Sequence, residues 1–234
     1  MKTIINKIGI TLLALVLTFS LSNCGAVQNA NNKQKGAVIG ATGGAILGAI
    51  IGNNVGKGGN GEIGAVIGGV IGGGAGVLIG NKMDKQAQKI EEEIPGAQVE
   101  RVDDGIVVTF DESSGVYFDT NKYNINAVSQ ATLNKLIGVF KEYPDTNLLV
   151  VGHTDSAGAE DYNMTLSKNR ANAVTNYLIQ NSISQSRLTT NWFGEAQPLH
   201  DNASAEGRAK NRRVNIAILP NEKMVQDAKT QAGN

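Results

Sequence analysis

GHTDSAGAEDYNMTLSKNRA, residues 152–171, places an acid, Asp155, fifteen residues before a base, Arg170, with turn chemistry between them. Asp155 and Ser156 can bond to nearby backbone and Gly158 can take positive φ, so DSAG reads as a turn. From Tyr162 onward the apolar residues follow a helical period. Asn163, Ser167 and Arg170 then fall at i, i+4 and i+7, which puts an amide, a hydroxyl and a guanidinium on one helix face. The preceding loop can fold back over that face and bring Asp155 close. An acid and a base so placed would suit a zwitterion. Arg offers a planar fork for two parallel hydrogen bonds to a carboxylate, and Asp an acceptor for an ammonium. The plainer alternative is a surface ion pair between the two, typically worth ~0–1 kcal/mol.

Outward from this stretch the pattern is that of an α+β domain. VERV and IVVTF flank Asp103-Asp104-Gly105 as a hairpin with Asp-Gly at its tip. A helix is predicted over about Ile125–Tyr143, with Val128, Leu133, Leu136, Ile137 and Phe140 on its apolar face and Pro144 as its stop. Asn147–Gly152 reads as a buried strand, Tyr162–Gln180 as the second helix, Arg187–Phe193 as a strand, and Val214, Ile216 and Ile218 alternate along the last. Strands interleaved with two helices imply helices packed on one face of a sheet. Leu166, Val174, Tyr177 and Leu178 are expected in the core, and Trp192 as packing.

The motifs VYFDTN (116–121), GHTD (152–155), Asn163, Leu166-Ser167, Arg170-Ala171, FGEAQP (193–198) and NRRV (211–214) occur in this order. Together they resemble the OmpA-like peptidoglycan-binding domain, over roughly residues 97–220. The resemblance implies a βαβαββ-type sandwich with two main helices on a mixed sheet. It also implies that Asp155 and Arg170 hold the backbone-like end of meso-diaminopimelate in a peptidoglycan stem peptide. Thr120, Asn121, Thr154 and Asn163 would be neighbouring contacts, with Arg212 of the NRR run close by.

The N-terminus has a different character. Lys2 and Lys7 precede an uncharged apolar run, Ile8–Leu21, of fourteen residues, which reads as an export signal and is short for a transmembrane span. LSNC at 21–24 resembles a bacterial lipoprotein cleavage site, with Cys24 the lipidated first residue of the mature chain. Asn23 departs from the smaller residue usual there. At ~0.8 kcal/mol per buried acyl methylene, several chains on one Cys would anchor the protein stably. Gly25 rather than Asp after the Cys resembles the pattern sorted to the outer membrane, with the binding domain facing the periplasm.

Between anchor and domain, Gly36, Gly40, Gly44, Gly48 and Gly52 recur every fourth residue, and Gly64, Gly68, Gly72, Gly76 and Gly80 repeat the ladder. Such spacing lays a glycine stripe along a helix and lets another helix approach closely. Two back-to-back helices turning at Asn53–Gly61 are expected, inserted in the membrane or self-associating into a homo-oligomer. The predicted organisation is therefore a signal peptide (1–23), a lipid-anchored linker (24–35), a glycine-zipper hairpin (36–80), a solvated charged helical linker (81–96), the binding domain (97–220) and a polar tail (221–234).

Composition narrows the chemistry. The 234 residues carry 21 basic and 21 acidic side chains, with no basic stripe and few aromatics, which argues against a nucleic-acid partner. A GxGxxG match at Gly56–Gly61 has no strand before it and is discounted. His153 and His200 lack metal-ligand or triad spacing, so no metal, cofactor or enzymatic activity is expected. The reading is a peptidoglycan-binding lipoprotein that ties outer membrane to cell wall. The alternative is a glycine-zipper envelope assembly that the domain only localises.

Overall fold

The structure, a computed structural model, describes residues 73–110, 114–118 and 121–233. Five strands form one mixed sheet: β1 (Gln98–Val102), β2 (Gly105–Phe110), β3 (Thr146–Gly152), β4 (Leu188–Trp192) and β5 (Val214–Pro220), in spatial order β1-β2-β5-β3-β4. The hairpin turns at Asp103-Asp104, as the sequence predicts, with Asp103 at φ +48°. β5 runs antiparallel to both neighbours, and β4 pairs in parallel with β3. All seven residues of β5 are buried. Its alternation divides them between two apolar clusters, Val214, Ile216 and Ile218 on one face and Ala217 on the other with Val107, Leu149 and Val151.

Five helices are described: α1 (Gly73–Glu93), α2 (Ala127–Glu142), α3 (Glu160–Gln180), α4 (Ala205–Asn211) and α5 (Glu222–Gln231). The α+β class and the helical layer on the sheet are as expected. The expected βαβαββ order is realised from β2 to β5, with β1 added in front and the short α4 between β4 and β5. Four helices rather than two supply the core on the larger face: Ile79, Met83 and Ile90 from α1, Leu133, Leu136 and Phe140 from α2, Val174 and Leu178 from α3, Met224 and Ala228 from α5.

Two segments thus differ from expectation. The charged stretch 81–96 continues, without a break at Gly80, the helix that holds the last glycines of the zipper. Its apolar residues Ala75, Ile79, Met83, Ala87 and Ile90 form one buried stripe, and only the opposite face is solvated. Asp84 on that face accepts from Arg101 Nε at 2.7 Å. The tail 221–234 likewise folds as α5, whose N-cap Asn221 accepts from the Met224 amide at 2.9 Å. Ala232, one residue beyond that helix, would lie 3.2 Å from a Cβ at Gly74.

α2 starts where Asn126 Oδ1 accepts the Ser129 amide at 2.8 Å. Val128, expected on its apolar face, is 52% exposed, because the buried stripe begins one residue later at Ser129. At its other end, Arg187 donates to the carbonyls of Phe140, Tyr143 and Thr146 at 2.7–3.0 Å, capping the helix from β4's approach. Gly152 closes β3 because α3 crosses it there, and a Cβ would overlap the Ser167 carbonyl oxygen.

Candidate functional site at the converging ends of three strands

Strand register assembles the site. Gly152 at the end of β3 pairs with Val214 at the start of antiparallel β5 and with Trp192 at the end of parallel β4. The residues just beyond β3, 153–155, must therefore lie between those before β5, 211–213, and those after β4, 193–195. The His153 amide donates to the Arg213 carbonyl at 3.1 Å and the Thr154 amide to the Gly194 carbonyl at 2.8 Å. Gly194 takes φ +54°, a conformation L side chains resist, and donates its amide to Ser167 Oγ at 2.9 Å.

Asp155 lies at the centre, 8% exposed. Its Oδ1 accepts the Ala157 amide at 3.0 Å, the local turn expected of DSAG, and its Oδ2 accepts Arg212 Nη1 at 2.8 Å. The predicted stripe of Asn163, Ser167 and Arg170 does face this loop, and all three are buried. Two of its members hold backbone. Asn163 Nδ2 donates to the carbonyls of Asp155 and Ala157 and to the Glu195 carboxylate, while Ser167 Oγ joins Met164 to Gly194.

Arg170 is among the largest fully buried side chains described. Its Nε donates to the Lys122 carbonyl at 3.1 Å, and its guanidinium lies 5.2 Å from the centre of the Phe118 ring. Burial first, then the neighbouring Arg212, push its pKa down to about 10, with Asp155 opposing. One carboxylate thus lies within the fields of two guanidiniums. Among the described residues the ion pair of Asp155 is with Arg212, not the Asp155–Arg170 surface bridge weighed above.

The remaining predicted residues are dispersed around this cluster. Thr154 is buried, its hydroxyl unpartnered among the described residues. Asn121 is exposed at φ +58° and begins the loop that carries Lys122. Thr120 and Cys24 lie outside the described residues. In the NRRV motif only Arg212 reaches Asp155. Arg213 donates to the Gln197 carbonyl at 2.9 Å, and burial lowers its pKa to about 9. Asn211 accepts the amides of Leu199 and His200 at 2.9 and 3.0 Å and donates to the His200 carbonyl. Glu195 and Asn211 are contributors that the reading of residue types missed, although both lie inside quoted motifs; their chemistry is visible only once their partners are known.

Apart from Arg213 and Val214, the residues of this cluster fall within residues 117–212, the segment that matches the OmpA family. Residues 1–84 separately match the YMGG-like Gly-zipper family. The chain is 37% identical over 142 residues to "Probable lipoprotein YiaD" of Escherichia coli, covering 61% of this chain and 65% of that protein. It is 38% identical over 86 residues to "Peptidoglycan-binding protein ArfA" of Mycobacterium bovis, covering 37% of this chain and 26% of that one. It therefore spans less than two thirds of either relative. Among solved structures, the cell wall anchor of the T6SS from Pseudomonas aeruginosa superposes with a TM-score of 0.50 at 28% identity, over 59% of this chain and 96% of that one.

Proposed function

We propose that this chain is an outer-membrane lipoprotein whose periplasmic OmpA-family domain binds peptidoglycan non-covalently and so tethers membrane to wall. The observation that carries the reading is the convergence of Asp155, Arg170 and Arg212 at the ends of β3, β4 and β5. Two guanidiniums and one carboxylate in a desolvated cluster suit a ligand with a carboxylate beside an ammonium, as diaminopimelate in a stem peptide carries. Asp155 has lone pairs beyond the two that its turn and Arg212 use, and the arginines supply planar donors for the carboxylate. Asn163 holds the loop that carries Asp155, and Thr154, Asn121 and Thr120 would be neighbouring contacts. The peptidoglycan-binding relative and the cell wall anchor support this ligand class, and the lipoprotein relative supports an anchor at Cys24. The role is binding rather than catalysis. The Gly-zipper match supports a second, compatible reading, in which residues 36–80 insert in a membrane or self-associate; leakage of liposomes would be its signature.

Co-sedimentation of the full chain with isolated sacculi tests the main reading. Wild type should be retained without releasing fragments. Arg170→Ala and Asp155→Ala should each cost on the order of 2–5 kcal/mol of binding, and Arg170→Lys, which keeps charge but not the fork, should fall between. Unchanged retention of a folded Arg170→Ala protein would falsify the site.

A further inference from the structure

Past Arg170 the same helix and loop continue into a second hollow. A groove of about 420 Å³ opens between Tyr123–Ile125 and α3, within the ~300–1,000 Å³ usual for small-ligand sites. Five carboxamides line it: Asn124 from the loop, and Asn169, Asn172, Asn176 and Gln180 along one stripe of the helix. No charged side chain does. None of the five amides hydrogen-bonds to another described residue, so each presents a donor and an acceptor to the groove. Asparagine is among the weaker helix formers, and solvated helix faces ordinarily carry charged residues. Three asparagines in one uncharged stripe contribute little to the fold that lysine or glutamate would not. Two tyrosines complete the walls. Tyr123 is 48% exposed, whereas Tyr177 is fixed by its hydroxyl's 2.9 Å bond to Asn134 Oδ1.

We propose that this groove is a glycan subsite that takes N-acetylated hexosamine units. The inference rests on the reading of the adjacent cluster as a stem-peptide site, because the glycan is the strand from which that peptide branches. An acetamido group carries one N–H and one carbonyl, which a carboxamide answers with its own acceptor and donor, and the C–H face of a pyranose packs on a tyrosine ring. The stem peptide is the poorer occupant, since it brings carboxylates to a groove without a cation. The two sites are physically joined. Arg170 donates to the Lys122 carbonyl at 3.1 Å, and Lys122 immediately precedes the groove's loop wall, so the side chain that would hold the peptide also hangs the wall that would hold the sugar.

The test is calorimetry on the full chain with three probes: the tripeptide L-Ala-γ-D-Glu-diaminopimelate, the same peptide carrying its N-acetylglucosamine–N-acetylmuramic acid disaccharide, and peptide-free chitotetraose. The disaccharide should tighten binding about tenfold, equivalent to ~1.4 kcal/mol. Replacing Asn172→Leu and Asn176→Leu together should remove that gain and any chitotetraose binding while leaving tripeptide affinity unchanged. If the tripeptide binds but the disaccharide adds nothing, the groove proposal is overturned and the peptide site stands. If chitotetraose binds, is lost in the double variant, and the tripeptide does not bind, the glycan subsite stands and the peptide reading falls. A double variant that keeps the full disaccharide gain overturns the proposal whatever the tripeptide does.

Discussion

Arg212 illustrates what residue identity alone leaves undecided. An aspartate in a turn and an arginine on a helix invite pairing, yet Asp155 takes its ion pair from a residue 57 positions away, while Arg170 is buried against Phe118 and a backbone carbonyl. His153, beside Asp155, is 1% exposed and stacks on Phe193 at 5.9 Å. Neither ring nitrogen has a partner among the described residues. Burial first, and Arg213 second, hold its pKa well below the ordinary value, so the native state keeps the ring neutral where the unfolded chain, near ~6.5, takes up a proton. Stability from this residue is present in full above about pH 6.5 and is lost as pH falls below it, by at most ~1.4 kcal/mol per pH unit. His153→Phe retains the stacking and cannot titrate. Urea unfolding at pH 7.5, 6 and 5 should show a flatter pH dependence in the variant; identical slopes would remove His153 as the cause.

Among the elements, α1 changes the picture most. Its sequence, NKMDKQAQKIEEEI from residue 81, has the charge density of a solvated connector, and its apolar residues are spaced widely enough to be overlooked beside the glycine ladder. Packed, those few residues suffice, since Ile79, Met83 and Ile90 are each fully buried. A Cβ at Gly80 would meet nothing within 4 Å, so the stripe that α1 presents to the domain is the isoleucine–methionine row. Ile90→Ala should therefore cost about 2–5 kcal/mol, as for core cavities, against roughly ±0.5 kcal/mol for a solvated helix. Equilibrium denaturation of the full chain decides between them. Gln86 is also fully buried on α1, with both amide atoms unpartnered among the described residues.

For the whole molecule, the described residues supply the domain that holds the OmpA match together with the helix that leads into it. No described helix is long and apolar enough to cross a membrane. Attachment is proposed on residues 1–24, from the apolar run that ends at LSNC. Cys24→Ser should leave the chain unlabelled by a tagged fatty acid and shift it out of the outer-membrane fraction, while sacculus binding per molecule stays at the wild-type level. A wild-type chain that takes up no label would sink the anchor; a serine variant that loses sacculus binding would mean the domain needs the anchor to bind.

What the sequence by itself determined here is local. The Asp-Gly hairpin, the alternation of β5, the start of α3 after a glycine turn and the common face of Asn163, Ser167 and Arg170 each follow from periods of two or 3.6 residues and from turn chemistry, which act over a few positions. The family motifs are legible for the same reason, since each is a short run. The tertiary structure alone decided which of these meet. Placing β5 between β2 and β3 sets Gly152 opposite Val214; that register brings Arg212 to Asp155. The parallel pairing of β3 with β4 brings Glu195 to Asn163. The loop after Asn121 reaches α3 across 48 positions to form the groove wall. Partner choice over such separations is settled by strand order and by which apolar stripes the sheet can bury at once, a competition among many segments that no single segment's pattern encodes.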